Sequence, residues 1–206
     1  LRGGGGLDEA SRQDLAEVVD EESARLDALI GEAIEMAQLD SDTVQVRLAF
    51  EHPRALLEQA VVDRVKALAA HRISIGVQEP ESPAWFDPHL LGRVLRHLLE
   101  NAARFTPPGG RITLRCRRAE DRLEFAVEDD GPGIHPADMP FIFERFYRGK
   151  RSKTMSKGTG MGLAIVRSIL RAHGGGIEAE SEPGQGARFR FWVPLVDKYS
   201  PGSREG

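Results

Sequence analysis

The 206-residue chain carries 40% hydrophobic and 29% charged residues, the balance of a soluble globular domain long enough to bury a real core. A net charge of -4 gives no electrostatic reason to expect nucleic acid or an anionic membrane as its main partner. The single cysteine, Cys116, excludes an internal disulfide, and no apolar run approaches the roughly 18 residues that cross a bilayer; this region is expected in the cytoplasm, with any membrane anchor elsewhere in the intact protein.

Residues 1–8 read as a flexible leader, because four consecutive glycines order only at high entropic cost. A helix is predicted from Ser11, with Asp14 three residues on as a capping-box-like start. Leu15, Val19, Leu26, Leu29, Ala33 and Met36 follow alternating steps of four and three once Glu22 is admitted as a polar exception, which is a heptad seam. Val18, Ile30 and Ile34 flank that seam. So apolar a stripe ahead of the globular part implies a partner helix and a second subunit.

Val44, Val46, Leu48 and Phe50 alternate with polar residues as a strand does, and Pro53 opens a helix predicted to run to Ala69. Ile73, Ile75 and Val77 alternate again. Asp87-Pro88 starts a helix to Phe105, with Leu91, Leu95, Leu98 and Ala102 facing the core and His97, Asn101 and Arg104 recurring on another face. Two strands follow, with inward residues Ile112, Leu114 and Cys116, then Leu123, Phe125 and Val127. A helix over 161–173 and two closing strands complete the chain, and residues 198–206 read as a disordered tail. Strands and helices mix without regular βαβ alternation, which predicts an α+β fold, a mixed and mostly antiparallel sheet with helices on one face.

The chemistry-bearing stretch lies between these elements. Asp129-Asp130-Gly131-Pro132-Gly133-Ile134 ends a strand, Phe141 to Arg148 is an aromatic and basic patch, and Gly158-Thr159-Gly160-Met161-Gly162-Leu163 opens a helix. A carboxylate at a strand end accepts a hydrogen bond from an amino-bearing base, glycines let backbone approach a ligand, and a helix N-terminus favours phosphate. Each feature alone has an ordinary structural explanation; their coincidence points to a nucleotide. No Walker-type G-x-x-x-x-G-K-[ST], G-x-G-x-x-G or eukaryotic-kinase motif is present.

With those residues in view, residues 11–195 resemble the catalytic, ATP-binding part of bacterial sensor histidine kinases, of the Bergerat-type fold shared with gyrase, the Hsp90 chaperones and MutL. Residues 97–107 resemble that family's asparagine box, 127–134 its first glycine box, 143–147 its phenylalanine box and 158–163 its second glycine box. The resemblance implies a two-layer α/β sandwich preceded by one long helix. It divides the chain into a partial dimerisation and histidine-phosphotransfer hairpin (9–40) and a catalytic ATP-binding domain (41–197).

It further implies ATP and magnesium as ligands, with the Asn101 amide oxygen on the metal, His97 supporting metal and phosphates, and Arg104 and Arg148 acting on the phosphates. Phe105 would lie beside the adenine, Asp129 would read its amino group, and Gly131, Gly133 and Ile134 would border it. Phe146 would anchor a lid over 149–157, and Gly158, Thr159, Gly160, Met161, Gly162 and Leu163 would border the phosphates. The implied partners are a response-regulator receiver domain and a second copy bound through the hairpin helices.

Three departures from the family pattern stand out. His97 occupies the place where hydrolysing relatives keep a glutamate, which favours phosphotransfer over hydrolysis; an ATP-hydrolysing machine of the same fold and a nucleotide-sensing module without turnover are the alternatives. Asp130 adds a charge expected to weaken nucleotide affinity. None of the six histidines has the phosphoacceptor context, so the acceptor is expected on a helix that this chain lacks.

Overall fold

The computed structural model describes residues 8–40, 45–78, 82–149 and 158–196. Helix α1 (Glu9–Asp40) begins two residues earlier than Ser11, because the Asp8 carboxylate accepts the Ser11 N–H at 2.8 Å and caps the first turn. Strand β1 (Ala49–Glu51) is shorter than the alternation suggests; residues 45–48 are not in a strand. It pairs antiparallel with β3 (Ala84–Phe86), a strand that the sequence pattern did not announce, and Phe50 packs against Trp85 with ring centroids 5.3 Å apart.

The predicted helix 53–69 is two helices, α2 (Pro53–Val62) and α3 (Val65–Leu68). At the break the Arg64 N–H bonds to the Val61 carbonyl, an i to i−3 closure that tightens the turn and redirects the chain. Strand β2 (Arg72–Val77) leads on to α4 (Pro88–Phe105), whose start matches expectation: Asp87 Oδ1 accepts the N–H groups of His89 and Leu90, both at 3.0 Å.

Strands β4 (Arg111–Arg118) and β5 (Arg122–Asp129), helix α5 (Gly162–Ala172), and strands β6 (Gly176–Ser181) and β7 (Ala187–Pro194) complete the fold. The main sheet has the order β2-β4-β5-β7-β6, antiparallel throughout except for the β2–β4 pair. Ile112, Leu114, Cys116, Leu123, Phe125, Val127, Phe189, Phe191 and Val193 point to one face and are buried under α4 and α5. Phe125 and Phe191 stack at 4.9 Å in the middle of that layer. The opposite face is a lattice of ion pairs, Arg115–Glu128–Arg188 and Arg117–Glu124–Arg122 among them. This is the expected mixed sheet with helices on one side.

Helix α1 does not behave uniformly. Leu15, Val18, Val19, Leu26, Ile30 and Ile34 are exposed, whereas Met36 is buried and Leu29 and Leu39 pack on the core. Its last turns dock against α4 and α5 through Glu35, Met36 and Leu39, while apolar side chains as late as Ile34 stay uncovered. Among the described residues no helix is long and apolar enough to cross a membrane.

Candidate functional site

The site forms where β5, the C-terminal half of α4 and the start of α5 converge. Asp129 is the last residue of β5, opposite Ile112 on one side and Ala187 on the other, and is half-buried. Burial pushes its carboxyl above the usual range; hydrogen bonds from the Gly131 and Ala187 backbones oppose that shift and the neighbouring Asp130 charge adds to it. Such an acid is a partly desolvated hydrogen-bond acceptor at the end of the strand.

Gly131 lies against the Phe105 carbonyl, where a β-carbon would come within 3.2 Å of that oxygen, so the end of α4 and the first glycine turn share one wall. Gly133 has φ 71° and Gly186 φ 77°, and their missing β-carbons face backbone, the Glu182 and Asp129 carbonyls respectively. Gly133 therefore serves the packing of the loop itself. Ser181 reinforces the joint: its Oγ accepts the Ile134 N–H at 2.8 Å and donates to the Gly186 carbonyl at 2.6 Å. Ser181, Glu182 and Gly186 thus shape the turn around Asp129. Of the three, only Gly186 carries a signal in the sequence, within the turn-forming run Pro183-Gly184-Gln185-Gly186.

On α4, His97 is 3% exposed, Asn101 is half-buried one turn later, and Arg104 follows on the outer side. The second glycine box folds against these residues. A β-carbon on Gly158 would collide with the Arg104 guanidinium, and one on Gly162 would meet His97 Nδ1 at 3.2 Å. Thr159 Oγ1 accepts the Met161 N–H at 3.2 Å and so orders the turn into α5; Met161 is buried and Leu163 half-buried. Gly160 packs on the backbone of Phe146 and Tyr147, and Phe146 itself has φ 61° and is 65% exposed. The Tyr147 hydroxyl donates to Asp138 Oδ1 at 2.7 Å, and Arg148 is half-buried beside it in sequence.

His97, Asn101, Arg104, Phe105, Asp129, Gly131 and the 158–163 loop therefore lie along adjoining elements, while Ile134 and Gly133 face the β6–β7 turn. The proposed lid at 149–157 lies, but for Gly149, outside the described residues. Asp130 accepts the Arg111 N–H at 3.2 Å and approaches the Arg111 side chain at 3.7 Å, so its charge is answered on the strand as well as felt by Asp129.

Two carboxylates of α1 also reach this region. Glu35, 9% exposed, accepts from Arg93 Nε and Arg96 Nη2, each at 2.7 Å, and lies 3.4 Å from His97 Nε2. Burial opposes its charge, but His97 and the two arginines outweigh burial and hold its carboxyl down at about 2. Glu32 accepts the Thr159 hydroxyl. Neither acid stood out in the sequence, because acidic residues beside a heptad seam ordinarily face water.

Among the described residues no group of three or more His, Cys, Asp or Glu side chains is placed to hold a metal ion. A hard cation at this site would take one amide oxygen and complete its shell from a polyphosphate and water, which is the donor set Asn101 offers.

Residues 86–197, more than half of the chain, match the model of the Histidine kinase-, DNA gyrase B-, and HSP90-like ATPase family. The chain is 32% identical over 195 residues to the sensor protein KdpD of Clostridium acetobutylicum, covering 94% of this chain and 22% of that protein. It is 37% identical over 189 residues to the alginate biosynthesis sensor protein KinB of Pseudomonas aeruginosa, covering 91% of this chain and 31% of that one. It thus spans under a third of the length of these curated relatives. Full-length ShkA, solved in complex with AMPPNP, superposes with a TM-score of 0.78 at 27% identity, over 93% of this chain and 40% of ShkA. The chain is homologous to the ATP-binding region of sensor histidine kinases and belongs to the histidine kinase-, DNA gyrase B- and HSP90-like ATPase family.

Proposed function

We propose that this chain binds magnesium-ATP and, within the intact protein, transfers the γ-phosphoryl group to a histidine on a hairpin domain, from which a response-regulator aspartate takes it. The observation that carries this reading is the packing of the second glycine box onto α4: Arg104 against Gly158 and His97 against Gly162 put a cation and an imidazole beside a backbone loop at the start of a helix. That ShkA, a structural relative, was solved in complex with AMPPNP supports a nucleotide as the ligand.

In this reading Asp129 accepts the adenine amino group and Phe105 lies beside the base. Thr159 and the backbone of 158–163 meet the phosphates, while Arg104 and Arg148 offset their charge. Magnesium, held by Asn101, would neutralise phosphate oxygens and fix their geometry. Phosphoryl transfer needs little covalent work from a protein, so these side chains act by positioning and charge. The exposed apolar residues of α1, Leu15, Val18, Val19, Leu26, Ile30 and Ile34, are then the face that meets the rest of the hairpin and a second subunit.

The test is incubation of the intact, hairpin-bearing protein with γ-labelled ATP and magnesium. Acid-labile phosphoprotein is expected; release of free phosphate alone would overturn the phosphotransfer reading in favour of hydrolysis.

A further inference from the structure

Helix α1 carries more into the site than a connection. Glu35 and Met36 anchor its last turns: Glu35 is buried between Arg93, Arg96 and His97, and Met36, 4% exposed, receives the Ser168 hydroxyl at 3.9 Å to its sulfur. One helical turn before Glu35, on the same face, stands Glu32. Its carboxylate takes the hydroxyl hydrogen of Thr159, the residue between Gly158 and Gly160.

We propose that Glu32 is a built-in competitor for the phosphates: docked α1 places a carboxylate at Thr159, where it substitutes for a phosphate oxygen, and nucleotide and docked helix exclude one another. The inference rests on the nucleotide reading of the 158–163 loop given above. A hydroxyl has one hydrogen to donate, so Thr159 serves Glu32 or a phosphate oxygen, not both at once. The charge argument has the same sign. A carboxylate beside a polyphosphate is repelled, and it is attracted to the same loop N–H groups and helix terminus that a phosphate would use.

Glu35 plays a different part. Its charge is matched by two guanidinium groups, so it holds the helix down, and its contacts are with Arg93, Arg96 and His97 of α4. The anchor and the competitor are therefore separable by mutation. Linkage then requires reciprocity: whatever docked α1 subtracts from nucleotide affinity, nucleotide subtracts from docking by the same factor.

The experiment is calorimetric titration of the whole chain, wild type and Glu32→Gln, with a non-hydrolysable ATP analogue plus magnesium, and separately with adenosine. Asp27→Asn, an exposed acid on the same helix, is the control for net charge. Glu32→Gln is expected to tighten the analogue by about five- to tenfold, at the lower end of ordinary coupling between sites, and to leave adenosine unchanged. Equal affinities for the analogue in wild type and Glu32→Gln, or the same gain from Asp27→Asn, overturn the competitor. Equal tightening of adenosine overturns it too, since adenosine has no phosphate.

Docking is read independently from spin labels at Ala28→Cys and Arg171→Cys, both exposed positions; the native Cys116 is buried, with its thiol pushed up to about 12, and stays unlabelled. The label distance is expected to lengthen on adding the analogue to wild type, and an unchanged distance at saturation overturns the exclusion. If neither protein binds the analogue, the nucleotide reading itself fails and the competitor falls with it, an outcome distinct from equal binding.

Discussion

The Oδ1 atom of Asp129 accepts the N–H of Gly131 at 2.9 Å, and with a further hydrogen bond from the Ala187 backbone this fixes the carboxylate at the end of β5. An amide at this position keeps the internal hydrogen bond, so Asp129→Asn should fold normally while losing the charge that meets an adenine amino group. Hydrogen bonds to charged groups contribute about 1.5–3 kcal/mol, so the dissociation constant for an ATP analogue should rise roughly 10- to 100-fold. Calorimetry checks this, and an unchanged affinity would remove Asp129 from the base-recognition role.

Two glycines of the β6–β7 turn offer a matched pair. Gly184 and Gly186 both have positive φ, 83° and 77°, but a β-carbon on Gly184 meets open space whereas one on Gly186 runs into the Asp129 carbonyl. Gly184→Ala should cost only the left-handed backbone penalty, about 1–2 kcal/mol. Gly186→Ala should add a steric cost and lower the thermal midpoint by a further 4–8 °C or so, as expected for about 2 kcal/mol in a domain of this size. Equal midpoints for the two variants would show that the turn yields without resistance.

The parts of the fold that could be read from sequence are those where one physical signal dominates. Asp87-Pro88 capped α4 as its residue types dictate, and the alternating residues of β4 and β5 all turned inward. Where two signals compete, the pattern misled. The stripe from Leu56 to Ala69 continues across the Asp63-Arg64 turn as if the helix were unbroken, because hydrophobic spacing does not register a local i to i−3 closure. The three-residue pair of β1 and β3 is too short to show a period. Within the site, Asp129 and the glycine boxes were visible as residue types. Glu32, Glu35 and Ser181 were not, since their partners lie 127, 58 and 47 positions away along the chain.

In the proposed function Asn101 is the one side chain that would hold the metal. Asn101→Ala removes an amide oxygen but no core packing, since the apolar face of α4 is carried by Leu91, Leu95, Leu98 and Ala102. Binding of adenosine should persist, and the added affinity that magnesium confers on the ATP analogue should fall by roughly tenfold or more, the scale of one charge-assisted contact. Titrations with and without magnesium make the comparison. A variant whose magnesium effect equals that of wild type would place the ion elsewhere.

The Glu35 anchor predicts how docking of α1 responds to acid. Its carboxyl is held at about 2 in the folded chain against 4.5 when free. A carboxylate with a depressed folded pKa contributes stability that is fully present above the free value and lost as pH falls toward the folded one. Docking of α1 should therefore be constant from neutrality down to about pH 4.5 and weaken steadily between there and pH 2. Glu124, also depressed because Arg117 and Arg122 outweigh its burial, destabilises the sheet over an overlapping range, so the effect must be read as a difference. Glu35→Gln cannot titrate and leaves Arg93 and Arg96 without their carboxylate, so at pH 7 it should lower α1 protection in hydrogen exchange by about 1–3 kcal/mol. That gap should close as the wild type is acidified through pH 4.5 toward 2.5, while Glu124 affects both proteins alike. A gap that stays constant over this range would mean that the charge of Glu35 does not hold the helix.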